Sequence, residues 1–303
     1  MGVIDSLEIK VSDVCNLQCK HCCMGHSLHG HKANFNAIAS TIDASKKVTK
    51  VCFTGGEPLI TDENAQNILS IMDRFKDRHI QWMITTNLCY ELTPLKTEVL
   101  RRIDDLWTSF DINIRFGNIH NLLLWVRNAK YVNKHIHPNA RLNCCISKYL
   151  VEKDPAKIQK FFADIGFKEY TFVQMFYVGS AQDNIEELLV TKNEVHAWFE
   201  KVLELKDIDH NKLFDCITDN STIKCRYLSE TTPVDLDGTI VNCICDEEKY
   251  GNCRISSTCL LCDNFKDCGG RCPYIPCIYF DKNQYKKARE YAAEKYRKDN
   301  NIK

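Results

Sequence analysis

Cysteine placement constrains this chain more than any other feature. Eighteen of its 303 residues are cysteine: Cys15, Cys19, Cys22 and Cys23 lie near the front, ten crowd between Cys216 and Cys277, and the rest are scattered. So many thiols imply either a disulfide framework, which needs an oxidising compartment, or bound metal. Met1–Lys10 carries Asp5 and Glu8 and lacks the basic start and apolar run of a secretory signal. No uninterrupted apolar stretch is long enough to span a bilayer. The reading is therefore a cytoplasmic protein with metal-bound thiolates and no membrane partner. Forty basic residues balance forty acidic ones, so charge gives no reason to expect a nucleic-acid partner.

Hydrophobic periodicity gives strands near Leu7–Val11, Lys50–Thr54, Gln81–Thr86, Asp105–Ile112, Arg141–Ile146 and Tyr170–Phe176. Between them fall helices near Phe35–Ser45, Asn64–Phe75, Thr93–Ile103, Ile119–Tyr131 and Pro155–Ile165. Such alternation predicts a parallel sheet with its site at the C-terminal strand ends. Six strands fall short of a closed eight-stranded barrel. The expected fold is α/β, a partial (β/α)6 TIM-type barrel over residues 1–185. Residues 186–215 form a bridging helix, near Lys192–Leu205, and a linker. Residues 216–281 make a small cysteine-rich domain, with a hairpin over Thr232–Asn242 turning at Asp237-Gly238. Its thin apolar content calls for metal to hold it together. Residues 282–303 read as a basic C-terminal helix.

Cys15, Cys19 and Cys22 stand directly after the first strand with Cys-x3-Cys-x2-Cys spacing. Three thiolates on one short loop can hold three irons of a cubane and leave the fourth iron open. A zinc site is the alternative, although structural zinc takes four ligands. Cys23 completes such a set only by distorting an adjacent-residue geometry.

The stretch Cys15-Asn16-Leu17-Gln18-Cys19-Lys20-His21-Cys22 resembles the signature of the radical S-adenosylmethionine (SAM) superfamily. His21 takes the place where that family usually has an aromatic residue, which makes it a packing residue beside the cluster. The resemblance implies a [4Fe–4S] cluster on Cys15, Cys19 and Cys22. SAM then binds the open iron and is reductively cleaved to a 5′-deoxyadenosyl radical. Gly55-Gly56-Glu57-Pro58, at the end of the second strand, resembles the family's GGEP motif. Glycines there let the backbone come close to a ligand where a Cβ would collide, and Glu57 can anchor the loop or the SAM ammonium. By the same resemblance Asn87 contributes to SAM binding, with Leu88 where glycine is usual. Ser109 and Asp111 lie where related enzymes place polar groups near the ribose or carboxylate. Gly179 matches the glycine of a turn near the adenine.

A zinc ribbon would account for part of the C-terminal array taken alone. The whole array resembles the SPASM domain, which houses auxiliary [4Fe–4S] clusters. That resemblance implies one cluster on Cys216, Cys225, Cys243 and Cys272, and a second on Cys259, Cys262, Cys268 and Cys277. Cys245 and Cys253 lie between these sets, and Asp246 lies three residues past Cys243. Asp246 is a weak candidate for a catalytic base, because Ile244 occupies the place where sulfatase-maturating enzymes carry an acidic one; Cys245 and Cys253 are weak catalytic candidates as thiols that could donate a hydrogen atom or bond a substrate. Cys52, Cys89, Cys144 and Cys145 read as buried structural thiols. The implied activity is oxidative modification of a peptide or protein by C–H hydrogen abstraction. The alternatives are dehydrogenation of a small molecule, such as a sugar or aminoglycoside-like alcohol, and a non-catalytic iron–sulfur or zinc protein. The implied partners are an external electron donor such as a flavodoxin or ferredoxin and, where the barrel mouth does not recognise a peptide itself, a separate recognition protein.

Overall fold

Six strands follow one another along the chain and across the sheet. A computed structural model describes residues 5–25, 28–173, 175, 179–190, 192–205, 214–215 and 231–241. The strands are β1 (Ser6–Ser12), β2 (Lys50–Gly55), β3 (Gln81–Thr85), β4 (Asp105–Ser109), β5 (Arg141–Cys145) and β6 (Glu169–Val173), all paired in parallel. Two short strands, β7 (Phe214–Asp215) and β8 (Thr232–Val234), extend the edges and give the order β7-β6-β5-β4-β3-β2-β1-β8. The connections carry α1 (Phe35–Ala44), α2 (Asp62–Arg74), α3 (Pro94–Arg102), α4 (Ile119–His135), α5 (Lys148–Val151) and α6 (Pro155–Ile165). After β6 come α7 (Ser180–Asp183), α8 (Ile185–Leu188) and α9 (Lys192–Leu203). This is the expected parallel partial barrel, with its fourth strand three residues shorter than the periodicity suggested.

Local chemistry sets these boundaries. Asn34, Thr61, Thr93, Asn118 and Ser147 each accept a hydrogen bond from the backbone three residues on, starting five helices. Asp154 caps α6, with Pro155 in the first turn and Gly166 left-handed at its end. The four-residue helices α5, α7 and α8 are too short to produce a hydrophobic period, and sequence reading passes over them.

Strand alternation divides the sheet into two faces. Leu7, Ile9, Val11, Val51, Phe53, Trp82, Ile84, Leu106, Leu142 and Phe172 are buried in one core with Ile38, Ile68, Trp125, Val132 and Phe162 of the helices. Each large side chain so buried contributes about 1.5–3 kcal/mol. The alternate positions, among them Lys10, Thr54, Thr85, Ser109, Asn143 and Thr171, put polar groups on the concave face.

The hairpin read at Asp237-Gly238 is present. Val234 bridges Ile240 in antiparallel fashion, and the Asp235 N–H donates to the Thr239 carbonyl at 2.9 Å. Its first arm is β8, in register with β1 from Leu7 to Ile9. Gly238 has φ +84 and lies on α1, where an added Cβ would meet the Ala37 backbone at 2.7 Å. The proposed basic helix at 282–303 and the cysteines from Cys216 onward lie outside the described residues.

Candidate active site

Ser12 ends β1 by turning its hydroxyl onto Val14: Ser12 Oγ donates to the Val14 carbonyl and accepts from the Val14 N–H. The chain then runs through Cys15, Cys19 and Cys22 at the C-terminal mouth of the sheet. Three neighbouring segments hold this loop. From β2, the Gly56 and Glu57 N–H groups donate to the carbonyls of Ser12 and Val14 at 2.8 Å each. After β4, the Ile114 carbonyl accepts from the Lys20 N–H at 2.9 Å, and the Arg115 carbonyl accepts from the Cys19 thiol at 3.4 Å. At the start of α7, Gly179 presses on the far end of the loop. A Cβ there would lie 2.7 Å from the Cys22 carbonyl oxygen and 2.6 Å from that of Cys23.

The glycines of the Gly-Gly-Glu-Pro turn therefore have a reason other than the expected approach to a ligand. A Cβ on Gly55 would stand 2.3 Å from the Ser12 carbonyl oxygen, and one on Gly56 2.3 Å from that of Val14. Real Cβ atoms do not come so close, so the turn seats against the cysteine loop only with bare backbone. Glu57 anchors it from beneath. Its carboxylate accepts from the Leu59 N–H at 3.0 Å, the Thr86 hydroxyl at 2.7 Å and the Asn87 N–H at 2.6 Å. Burial pushes the Glu57 carboxyl up to about 7, against the pull of those three hydrogen bonds and of Lys96. Pro58 is buried beside it.

Asn87 joins β3 to the same loop: its Nδ2 donates to Asn16 Oδ1 at 2.9 Å and to the Cys15 sulfur at 3.7 Å. Leu88, in the place where glycine is usual, keeps a left-handed backbone at φ +53. That conformation costs a non-glycine residue about 1–2 kcal/mol. The fully buried Leu88 side chain offsets the cost, and Asn128 of α4 donates to the carbonyls of Leu88 and Tyr90.

Ser109 ends β4 half-buried, in register with Asn143. Asp111 is buried, and both its carboxylate oxygens are engaged. Oδ1 accepts from the Cys145 N–H at 2.6 Å, and Oδ2 lies 2.6 Å from Arg115 Nε and 3.1 Å from His21 Nε2. Burial alone would raise the Asp111 carboxyl, but His21 and then Arg115 hold it well below the usual range. Burial would likewise lower Arg115, and the Asp111 charge holds it well above its ordinary value. Arg115 Nη2 lies 3.2 Å from His21 Nε2. His21 thus sits within a buried polar cluster, not simply among apolar neighbours. Removing one member of such a pair typically costs about 3–5 kcal/mol.

Burial raises all three loop thiols, Cys19 to about 11 and Cys22 to about 12, with Cys15 also moved upward. Cys15 and Cys19 both act on Cys22, so the three sulfurs share one electrostatic neighbourhood. Among the described residues, only His21, Asp111 and Cys145 bring three ligand atoms within 4.8 Å of one another. The loop sulfurs therefore spread wider than one tetrahedral zinc requires, since Zn–S bonds of about 2.3 Å put sulfurs about 4 Å apart. An all-thiolate, spread donor set suits an iron–sulfur cubane. At the His21–Asp111–Cys145 triad, the Arg115 guanidinium already supplies the positive charge.

Cys15, Cys19, Cys22, Gly55, Gly56, Glu57, Asn87, Asp111 and Gly179 are thus assembled around one loop. Sequence reasoning missed Arg115, which follows β4 outside any helix and so stands in no helical spacing to Asp111. It also missed Asn16 and Asn128, which carried no signal either. Cys225, Cys243, Cys245, Cys253, Cys259, Cys262, Cys268, Cys272, Cys277, Cys216 and Asp246 lie outside the described residues.

Residues 9–119 match the family described as a 4Fe-4S single cluster domain. Solved structures share this fold of six successive parallel strands flanked by helices. SuiB from Streptococcus suis, solved bound to S-adenosylmethionine, shares it at 17% identity and TM-score 0.63, over 90% of this chain and 74% of that one. Native anSMEcpe with bound AdoMet shares it at 18% identity and TM-score 0.57, over 96% of each chain. In sequence, the chain is 26% identical over 212 residues to the GTP 3',8-cyclase of Aliarcobacter butzleri. That match takes in 62% of this chain and 63% of the cyclase's length.

Proposed function

We propose that the chain is a radical SAM enzyme that oxidatively modifies a peptide or protein substrate. One observation carries this reading: a loop of three thiols, at the mouth of a parallel partial barrel, gripped by a Gly-Gly-Glu-Pro turn that fits nothing bulkier than bare backbone. Cys15, Cys19 and Cys22 would hold a [4Fe–4S] cluster. When bound, that cluster supplies one electron for reductive cleavage of SAM, so that hydrogen can be taken from a substrate C–H bond. The chain's own residues position and protect. Gly55 and Gly56 seat the turn, Glu57 locks it to Thr86 and Asn87, and Asn87 holds the Cys15 arm. The carbonyls of Gly55 and Gly56, with Asn87, Ser109 and Gly179, are the candidate SAM contacts. Because both Asp111 oxygens are taken, Asp111 acts through Arg115 and His21.

The peptide reading is supported by the likeness to SuiB solved bound to its precursor peptide SuiA, with TM-score 0.64 over 90% of this chain. The polar concave face, with Thr54, Thr85, Asn143 and Thr171, suits a hydrogen-bonding substrate better than an apolar one. Auxiliary clusters on Cys216, Cys225, Cys243 and Cys272, and on Cys259, Cys262, Cys268 and Cys277, would take up the electron released by substrate oxidation. Cys245, Cys253 and Asp246 remain the candidates for hydrogen or proton transfer, and a flavodoxin or ferredoxin is the proposed donor in a cytoplasmic setting. No helix among the described residues is long and apolar enough to cross a membrane. The similarity to the cyclase favours a second reading, a small-molecule substrate.

Anaerobic reconstitution with iron, sulfide, SAM and dithionite tests the proposal. It predicts 5′-deoxyadenosine and methionine, lost on replacing Cys15, Cys19 and Cys22 with alanine while auxiliary iron stays bound. Intact clusters with no SAM cleavage would reject the enzyme. Total iron of about twelve per chain fits two auxiliary cubanes, and about eight fits one.

A further inference from the structure

We propose that the outer face of α4 is the docking surface for the electron donor, an acidic one-electron carrier protein. This rests on the radical SAM reading above and gives its external reductant a place on the chain.

α4 has two unlike faces. Trp125, Ala129 and Val132 are buried in the core. On the opposite side Ile119, Leu123 and Tyr131 are 67%, 60% and 44% exposed, and Arg127, Lys130 and Lys134 stand exposed among them. At helical spacing these six fall within about one third of the circumference. Six large apolar side chains are exposed among the described residues, and three of them share this face. Apolar side chains gathered in one patch and rimmed by charge mark a surface that meets another protein.

Charge selects the partner. α4 contains no aspartate or glutamate, although the whole chain carries forty charges of each sign. α6, packed against α4, adds Lys157 and Lys160 with Asp164 as its one acid. A protein that docks here is therefore acidic, steered by the cations and seated on the apolar side chains. A nucleic acid would use the cations alone and leave Ile119 and Leu123 unexplained.

Position selects the chemistry. The first turn of α4 lies two hydrogen bonds from the cysteine loop. Asn16 Nδ2, beside Cys15, donates to the Cys89 carbonyl at 2.5 Å, and the Cys89 thiol donates to the Asn121 carbonyl at 3.7 Å. Asn121 Nδ2 also donates to the carbonyl of Phe116 at 2.8 Å, one residue past the Arg115 carbonyl that meets Cys19. The exposed face is thus set off from the loop by little more than the helix itself, about 10–12 Å across. A substrate on that side cannot reach the concave face through a packed helix, whereas an electron crosses packed protein without contact. Carrier encounters are also small, below about 1,200 Å² in all, in keeping with one helix face.

The experiment measures 5′-deoxyadenosine formed by the full reconstituted chain with two kinds of reductant. Dithionite needs no docking; a flavodoxin kept reduced by its NADPH-dependent reductase, with a reduced ferredoxin in parallel, does. The variants are Leu123→Ser, the pair Arg127→Glu and Lys130→Glu, and, as a control for net charge, the pair Lys46→Glu and Lys47→Glu at exposed positions after α1. At sub-saturating carrier the α4 variants are expected to lose about tenfold in rate, recovering as carrier concentration rises, with the dithionite rate unchanged. The control pair should match wild type. Added salt should slow the carrier-driven rate of wild type more than that of the reversed pair. Carrier-driven rates equal to wild type, an equal loss in the control pair, or wild type that cleaves SAM with dithionite but with neither carrier overturns the inference. So does a change of oligomeric state in the variants with carrier turnover intact, which would make the face a contact between copies of this chain. Wild type that fails to cleave SAM even with dithionite overturns the radical reading itself.

Discussion

Glu57 is fully buried and bonded to three donors, yet burial raises its carboxyl from 4.5 to about 7. Between those values the folded protein keeps a proton that the unfolded chain has released. Its contribution to stability is therefore complete below pH 4.5 and declines as pH rises through 7. At 1.36 kcal/mol per unit, the whole decline is about 3 kcal/mol. Urea denaturation of the metal-free protein should show wild type losing more stability than Glu57→Gln between pH 5 and pH 8. Parallel losses in the two proteins would mean that Glu57 is ionised throughout. The same residue shows why a motif is more readable than its chemistry: the sequence left open whether Glu57 anchors a loop or a ligand. Only the contacts to Leu59, Thr86 and Asn87 assign it to the loop.

The turn from Gly55 to Pro58 and the loop from Ser12 to Cys22 work as one element, because their backbones touch. Gly56→Ala should push a methyl group toward the Val14 carbonyl, 2.3 Å from the ideal Cβ position. The expected result is loss of most of the iron held by Cys15, Cys19 and Cys22, with the far-ultraviolet circular dichroism unchanged. Full iron content in that variant would show that the turn does not shape the loop. The pairing of turn and loop was legible from strand order and motif spacing, since both lie at the C-terminal ends of adjacent parallel strands. The steric reason was not, because Ser12 and Val14 are unremarkable in sequence and act through carbonyls that every residue carries. β1 to β6 and the long helices were readable from periodicity, and β8 from the hairpin turn at Asp237-Gly238, while β7, α5, α7 and α8 were not. A strand of two residues leaves no pattern, and its place is decided by the open edge that it covers. Arg115 was hidden differently: a lone arginine after a strand reads as solvated until Asp111 and His21 are seen around it.

At the scale of the molecule, the sheet is closed on the β1 side by residues far along the chain. β8 runs beside β1, and β1 delivers the cysteine loop, so the hairpin at 231–241 supports the strand from which the site hangs. Asn34 at the start of α1 donates its N–H to the Leu236 carbonyl at 2.7 Å, and Thr41 donates to the Gly238 carbonyl at 2.6 Å, so the hairpin grips a helix as well. If these contacts matter, damage at the hairpin tip must be felt by the barrel. Gly238→Ala places a side chain at φ +84 and within 2.7 Å of the Ala37 backbone, a double penalty of about 1–3 kcal/mol. All four tryptophans, Trp82, Trp107, Trp125 and Trp198, precede the hairpin in sequence, and three lie on β3, β4 and α4, so their fluorescence reports the barrel. The denaturation midpoint followed by tryptophan emission should fall in Gly238→Ala, and iron retention by the front cluster on warming should fall with it. An unchanged midpoint would make the hairpin a passenger on the edge of β1, and the barrel would then owe its closure on that side to the core beneath Leu7 and Ile9 alone.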